Sequence, residues 1–297
     1  MYVYFFLIHL LFVMGNDHII YLSSNGSQNL FRDNVPGNFI NKLSTPILLD
    51  NNIEYEVGLV SILYPDQYYA VLANDENYDI TLYTRQKGLR RSSLTVRMKE
   101  NILAGNMPKI IKIVNRNLLE YMERHYHTFF PHLFPKEEDR RIFHWNDTER
   151  RVEILCRKGN SHDRIIADFQ SIDIKMSQGL SSLMGYDSNT EYTLYKQNKA
   201  RGIHKSTRPP SPRCGVDYIY LYTDIVQPSY FGGQLVNILD CFSLQNGGNK
   251  GIHNSIYKPL NTSILDQISI TVRDQNGRPI HFVEDSTIMC VIHIRPK

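Results

Sequence analysis

The chain has 297 residues, with 42% hydrophobic and 21% charged residues, a globular balance that excludes intrinsic disorder and allows a sizeable core. Its net charge of +3 is too small for a dedicated polyanion binder. Four scattered cysteines, Cys156, Cys214, Cys241 and Cys290, form no CxxC pair, which excludes a zinc knuckle and a disulfide-dense scaffold and leaves buried free thiols as the expectation.

The first element is apolar. Tyr2 to Met14 reads YVYFFLIHLLFVM, too short to span a bilayer as a helix. No Lys or Arg precedes it, His9 interrupts it and Gly15-Asn16-Asp17 is a poor cleavage site, so residues 1–16 are read as an apolar N-terminal extension, leader-like or a gene-model artefact, rather than a clear signal peptide. Strands follow at His18 to Leu22 and at Asn38 to Leu43. After Pro46 and the Asp50-Asn51-Asn52 turn comes what reads as the longest strand, Ile53 to Tyr64, stopped by Pro65. Further strands are expected at 78–83, 93–98, 141–145, 151–156 and 172–175, with Ile142 to Cys156 folding as a hairpin around Asp147-Thr148-Glu149.

Two helices interrupt the strands. Pro108 stands in the first turn of one running from about 108 to 124, where Ile110, Ile111, Val114, Leu118, Tyr121 and Met122 recur at three and four. The other is short, with Ser177 as N-cap, Leu180, Leu183 and Met184 on its face, and Gly185 as its left-handed stop. A basic segment, 196–213, holds Lys196, Lys199, Arg201, Lys205, Arg208 and Arg213 with no acid, and its Pro209-Pro210-Ser211-Pro212 end cannot enter a sheet interior. It reads as a solvated loop, with a phosphate or acidic-surface contact as the alternative.

Val216 to Val226 is the most regular strand: Tyr218, Tyr220 and Tyr222 fall on one face, Ile219, Leu221 and Ile225 on the other. The tyrosine stripe reads as core or subunit packing before it reads as a ligand platform. Last come two alternating runs, Ile268 to Val272 and Ile288 to Ile292, around Asp274-Gln275-Asn276-Gly277, which together read as a closing strand pair in a sandwich or barrel.

Little here is chemical. His125, His127 and His132 cluster without a completing Cys or carboxylate, and read as loop contacts rather than a metal site. Glu54 and Glu56 read as the solvent side of a strand, and Glu137-Glu138 as a charged loop. No nucleophile elbow, phosphate loop, HExxH or dinucleotide turn occurs. The expected class is therefore not an enzyme, and no catalytic, cofactor-binding or metal residue is assigned. Sequons at Asn25, Asn146 and Asn261 leave open a secreted or surface β-sandwich module binding carbohydrate or protein.

The run from His18 through Glu56-Val57-Gly58-Leu59-Val60-Ser61-Ile62-Leu63-Tyr64-Pro65 resembles the opening of the minor capsid, or penton, proteins of Polinton (Maverick) elements and related adintoviruses. The resemblance continues in order through the Ile110 to Leu119 helix, the Phe143 to Cys156 hairpin, Met176 to Tyr186, Tyr220 to Pro228, and Arg273 to Pro279 with the final strand. Residues 1–16 and the long basic loop depart from the family pattern. The resemblance implies a mainly β, jelly-roll sandwich with one or two short helices in inserted connections. It implies one domain over 17–297, with insertions around 100–140 and 187–215. It further implies a homopentamer at the fivefold vertices of an icosahedral capsid, beside a double jelly-roll major capsid protein. A virion protein of this kind would have no cofactor, no specific nucleic acid and no small-molecule substrate.

Overall fold

A computed structural model describes residues 17–88, 91–127, 130, 140–158, 169–196, 202–213, 216–244, 248–251 and 255–297. The chain divides into two compact units, one made of the residues up to Tyr68 together with Val216–Lys297, the other of Tyr69–Gly215. The first unit begins with strands β1 (His18–Ser23), β2 (Asn38–Leu48) and β3 (Tyr55–Tyr64). The second holds β4 (Tyr69–Val71), β5 (Ile80–Gln86), β6 (Ser92–Val96), β7 (Ile102–Leu103), helix α1 (Met107–His125), β8 (Phe143–Asn146), β9 (Arg151–Lys158), β10 (Phe169–Met176), helix α2 (Gln178–Met184), β11 (Tyr192–Lys196) and β12 (Gly202–Lys205). The chain then returns to the first unit with β13 (Tyr218–Thr223), β14 (Ser229–Phe231), β15 (Gln234–Val236), β16 (Ile238–Ser243), β17 (Gly248–Gly251), β18 (Lys258–Pro259), β19 (Ile264–Asp274) and β20 (Met289–Pro296).

In the first unit two antiparallel sheets run in the orders β1-β20-β3-β17, with β18 also on β3, and β16-β13-β19-β2. Setting aside the short β14–β15 pair and counting β17 and β18 as one strand, the eight strands pair first with eighth, second with seventh, third with sixth and fourth with fifth. That is a long two-stranded ribbon rolled into a sandwich, the strand order of a jelly roll. Alternation decides which side faces in: Leu22, Val57, Leu59, Ile62, Ile292 and Ile294 from one sheet, and Phe39, Ile219, Leu221, Ile268, Ile270 and Val272 from the other, are all buried. Across the gap the rings of Tyr64 on β3 and Phe242 on β16 lie 5.7 Å apart.

The second unit has its own sheet, in the order β12-β9-β11-β10-β5-β6 with β8 on β9, antiparallel except where β11 meets β9. Helix α1 starts at N-cap Asn106, whose side chain accepts from the Lys109 amide at 3.1 Å, with Pro108 in the first turn. Its buried face, Ile110, Val114, Leu118 and Met122, joins one cluster with Ile80, Leu82, Val152, Ile154, Ile172 and Ile174. Gly185 ends α2 at φ +79°, a conformation costly for any residue with a Cβ, and the next residue, Tyr186, is buried with its hydroxyl against the carbonyl oxygens of Val152 and His204, both at 2.7 Å. Among the described residues no helix is long and apolar enough to cross a membrane.

Several expectations change. The two terminal runs do not pair: β19 lies between β13 and β2, and β20 between β1 and β3. The connection 275–288 carries the chain from one sheet to the other, as the ribbon's two arms require. β2 runs through Pro46 to Leu48 and, with β19, exceeds β3 in length; an edge strand tolerates proline because one side needs no amide donor. Ser177 occupies the N-cap of α2 without capping it, its hydroxyl donating instead to the Asn77 carbonyl at 2.6 Å. Both segments read as insertions, 100–140 and 187–215, fall inside Tyr69–Gly215, where described residues of each, Ile110 and Tyr192 among them, belong to one hydrophobic cluster.

Candidate assembly surface

Among the described residues the histidines and carboxylates singled out in the sequence do not converge. His125 and His127 are exposed at the end of α1, His125 stacking on Tyr121 at 4.2 Å, and His132 lies outside the described residues, as do Glu137 and Glu138. Among the described residues no group of three His, Cys, Asp or Glu side chains is placed to hold a metal. Glu56 pairs with Arg295 at 2.7 Å and Glu54 with Lys297 at 2.9 Å, so both carboxylates are engaged in strand-side ion pairs. Cys156 and Cys290 are buried as expected, and burial pushes the Cys290 thiol up to about 12. Cys241, expected buried, is exposed on β16, because at that register position it points away from the core. Cys214 lies outside the described residues.

The basic segment is mostly structural where it is described. Gly202–Lys205 forms β12 on β9 rather than a loop, Lys205 reaches Glu149 at 2.5 Å, and Arg208 donates to the Tyr186 carbonyl at 2.5 Å. An edge strand carrying lysine resists pairing with other chains, which explains a strand among so many cations. The three sequon amides are likewise used within the fold: Asn25 donates to Thr287, Asn146 to Glu153 and Asn261 to the Asp224 carbonyl, at 2.7, 2.9 and 2.7 Å.

Part of what the jelly-roll unit presents outward is apolar surface. On β13 the tyrosines face out while Ile219 and Leu221 face in. Tyr220 meets Phe231 of the β14–β15 hairpin with ring centroids 5.0 Å apart, and the Arg273 guanidinium lies 5.1 Å over Tyr222. Partial desolvation there, with Cys241, Tyr218 and Tyr222 adjacent, holds the Tyr220 hydroxyl above the usual phenol range. The hairpin adds Tyr230 and Leu235, 79% and 60% exposed. Its sequence signal is Gly232-Gly233 between Ser-Tyr-Phe and Gln-Leu-Val, a two-residue turn in which both glycines take positive φ.

The other sheet shows a second patch. Ile19 and Tyr21 project from β1, with Tyr21 opposite Val291, while Met289 of β20 lies between Ser23 and Leu63. At one end of this face a polar cluster gathers: Tyr257 hydrogen-bonds His293 at 2.8 Å, Arg295 lies 3.5 Å over the Tyr257 ring, and Asp17 stands 3.7 Å from His293. The HIIYLS run of β1 is apolar on both sides, burying Ile20 and Leu22 and leaving Ile19 and Tyr21 exposed.

No protein-family model matches the chain, and no curated protein matches it. Among solved structures it is similar to the mavirus penton protein, determined as a selenomethionine-labelled crystal structure, at 11% identity and a TM-score of 0.49, over 95% of this chain and 100% of that one.

Proposed function

We propose that this chain is a minor capsid (penton) protein, assembling as a homopentamer at the fivefold vertices of an icosahedral capsid beside a double jelly-roll major capsid protein, in a Polinton-like virus or integrated element. The observation that carries the reading is the strand order of the first unit, β1-β20-β3-β17 against β16-β13-β19-β2, a jelly roll whose third and fourth strands are joined through a second compact unit. The ordered resemblance of His18 to Pro65 and the later segments to penton proteins supports the same reading. So does the outward display of large apolar side chains on both sheets, since such surface is what subunits bury on association. The work of a protein of this kind is burial between neighbours, and it asks for no reacting group.

The test is the mass of the purified full chain in solution, by light scattering over a range of concentrations. A discrete species near five subunits is expected, followed by mixing with a double jelly-roll major capsid protein. A monomer at every concentration would refute the pentamer and turn the search to carbohydrate and protein ligands of a β-sandwich module.

A further inference from the structure

The jelly-roll unit has two unlike outer faces, and each carries an apolar patch. One, on the β16-β13-β19-β2 sheet, carries Tyr218, Tyr230, Phe231 and Leu235 at 50%, 79%, 41% and 60% exposure. The other, on the β1-β20-β3 side, carries Ile19, Tyr21, Leu63 and Met289 at 63%, 71%, 42% and 40%. Large side chains of this type offer about 150–250 Å² each when aromatic, so each patch exposes roughly 400 Å² of apolar surface, within the size range of functional patches. A stable interface takes about 800 Å² per partner, a little over half of it apolar. Each patch, with its polar surround, therefore matches one half of one interface.

Charge separates the two faces. The tyrosine face holds Arg273, whose guanidinium rests on Tyr222 and meets the Gly277 carbonyl at 3.4 Å rather than a carboxylate. The opposite face holds Asp17, its side chain 47% exposed and 3.7 Å from the His293 imidazole, with the Arg295 guanidinium of the same cluster already paired to Glu56. Two tyrosine faces brought together would set Arg273 against a like face, whereas tyrosine face on β1 face brings cation toward carboxylate.

We infer that these two faces are the two halves of a single head-to-tail contact: the tyrosine face and β14–β15 hairpin of one copy dock on the Ile19, Tyr21, Met289 and Leu63 face of the next. This rests on the capsid reading above and specifies its subunit contact. Because the faces belong to the two sheets of one sandwich, they lie on opposite sides of the unit. A contact that uses both is heterologous, and repeating it gives a ring when the rotation closes.

Two full-chain double variants test this, Tyr230→Lys with Leu235→Lys on one face and Ile19→Lys with Tyr21→Lys on the other. All four positions are exposed, and circular dichroism confirms that each variant folds. Light scattering is then run on wild type, each variant and their equimolar mixture. The expected result is a wild-type ring, each variant alone a monomer, and a mixture at twice the monomer mass, because one intact face of each kind remains and the contact stops after one pairing. A wild-type ring that survives either double variant overturns the inference while leaving the pentamer standing. A mixture that stays monomeric beside an assembling wild type also overturns it. A monomeric wild type refutes the pentamer itself, and this contact with it.

Discussion

Replacing Asn115 with Leu should loosen the second unit more than any surface change in it. Asn115 sits on the buried face of α1, 9% exposed. Its amide nitrogen donates to the Phe143 carbonyl at 2.7 Å, and its oxygen accepts from the amides of Ile142 and Phe143 at 3.2 and 2.8 Å. One side chain thus satisfies three backbone groups where β8 begins, and leucine, close in volume, would leave all three without a partner. Each stranded buried group costs about 1–3 kcal/mol, so three set the expected loss at about 3 kcal/mol or more. The readouts are urea unfolding and hydrogen exchange at the Ile142 and Phe143 amides, whose protection should fall by at least about a hundredfold, since ~1.4 kcal/mol is a factor of ten. Asn115→Asp refines the test. The carboxylate keeps both acceptor bonds but faces the Phe143 carbonyl without a proton to give. Burial would raise that carboxyl's pKa, so its penalty should be full at neutral pH and shrink as the pH falls through the raised value and the group becomes a donor. A leucine variant within about 1 kcal/mol of wild type, with Ile142 and Phe143 still protected, would refute the account of how β8 is held.

Other outcomes follow from the same packing. Val57→Asp places a carboxylate at a position with no exposure, opposite Ile294; it should cost several kcal/mol (roughly 4) and yield insoluble protein, and soluble, assembled protein would show that this side of β3 does not face the core. Gly185→Ala asks a residue at φ +79° to carry a Cβ that would press on the Arg208 carbonyl; a loss of about 2–4 kcal/mol is expected, read as a lower Tm, with no change if the turn is free to rearrange. Labelling the folded, monomeric Tyr230→Lys, Leu235→Lys variant with a thiol reagent, mapped by mass spectrometry, should modify Cys241 and spare Cys290 until denaturant is added. Because burial moves the Cys290 thiol from 9.0 up to about 12, the folded chain keeps a proton that the unfolded chain releases. That stability is complete below the unfolded value and is lost at roughly 1.4 kcal/mol per pH unit as pH rises between the two. Urea titrations from pH 8 to 10.5 should therefore slope more steeply for wild type than for Cys290→Ala.

Side-chain direction was legible in the sequence and strand partnership was not. The alternation of β13 told which residues face inward, and Pro108 and Gly185 marked helix boundaries, because these signals are local: period, fixed φ, positive φ. Pairing is not local. β19 and β20 are neighbours in sequence with a turn-rich connection between them, which is all that a hairpin shows from sequence alone, yet each pairs in a different sheet. The division at Tyr69 and Gly215 was hidden for the same reason, since β5 and β10 alternate no differently from jelly-roll strands and alternation does not say which core a face belongs to. β12 was masked by its lysine, and Asn115 by a helix reading that counts apolar positions alone and passes over the one polar residue that anchors a neighbouring strand.

The same limit points to function. A sandwich sheet has one core, so folding consumes one apolar face per strand and leaves the other to solvent. β1 buries Ile20 and Leu22 yet also carries Ile19 and Tyr21, and β13 buries Ile219 and Leu221 yet also carries three tyrosines. Single exposed apolar residues are ordinary on any surface. Here they align across register, Tyr21 with Val291, Met289 with Leu63, and Tyr220 with the Phe231 ring. Apolar side chains that the core does not use, gathered on two opposite faces of one unit, are what a subunit needs in order to meet a neighbour on each side.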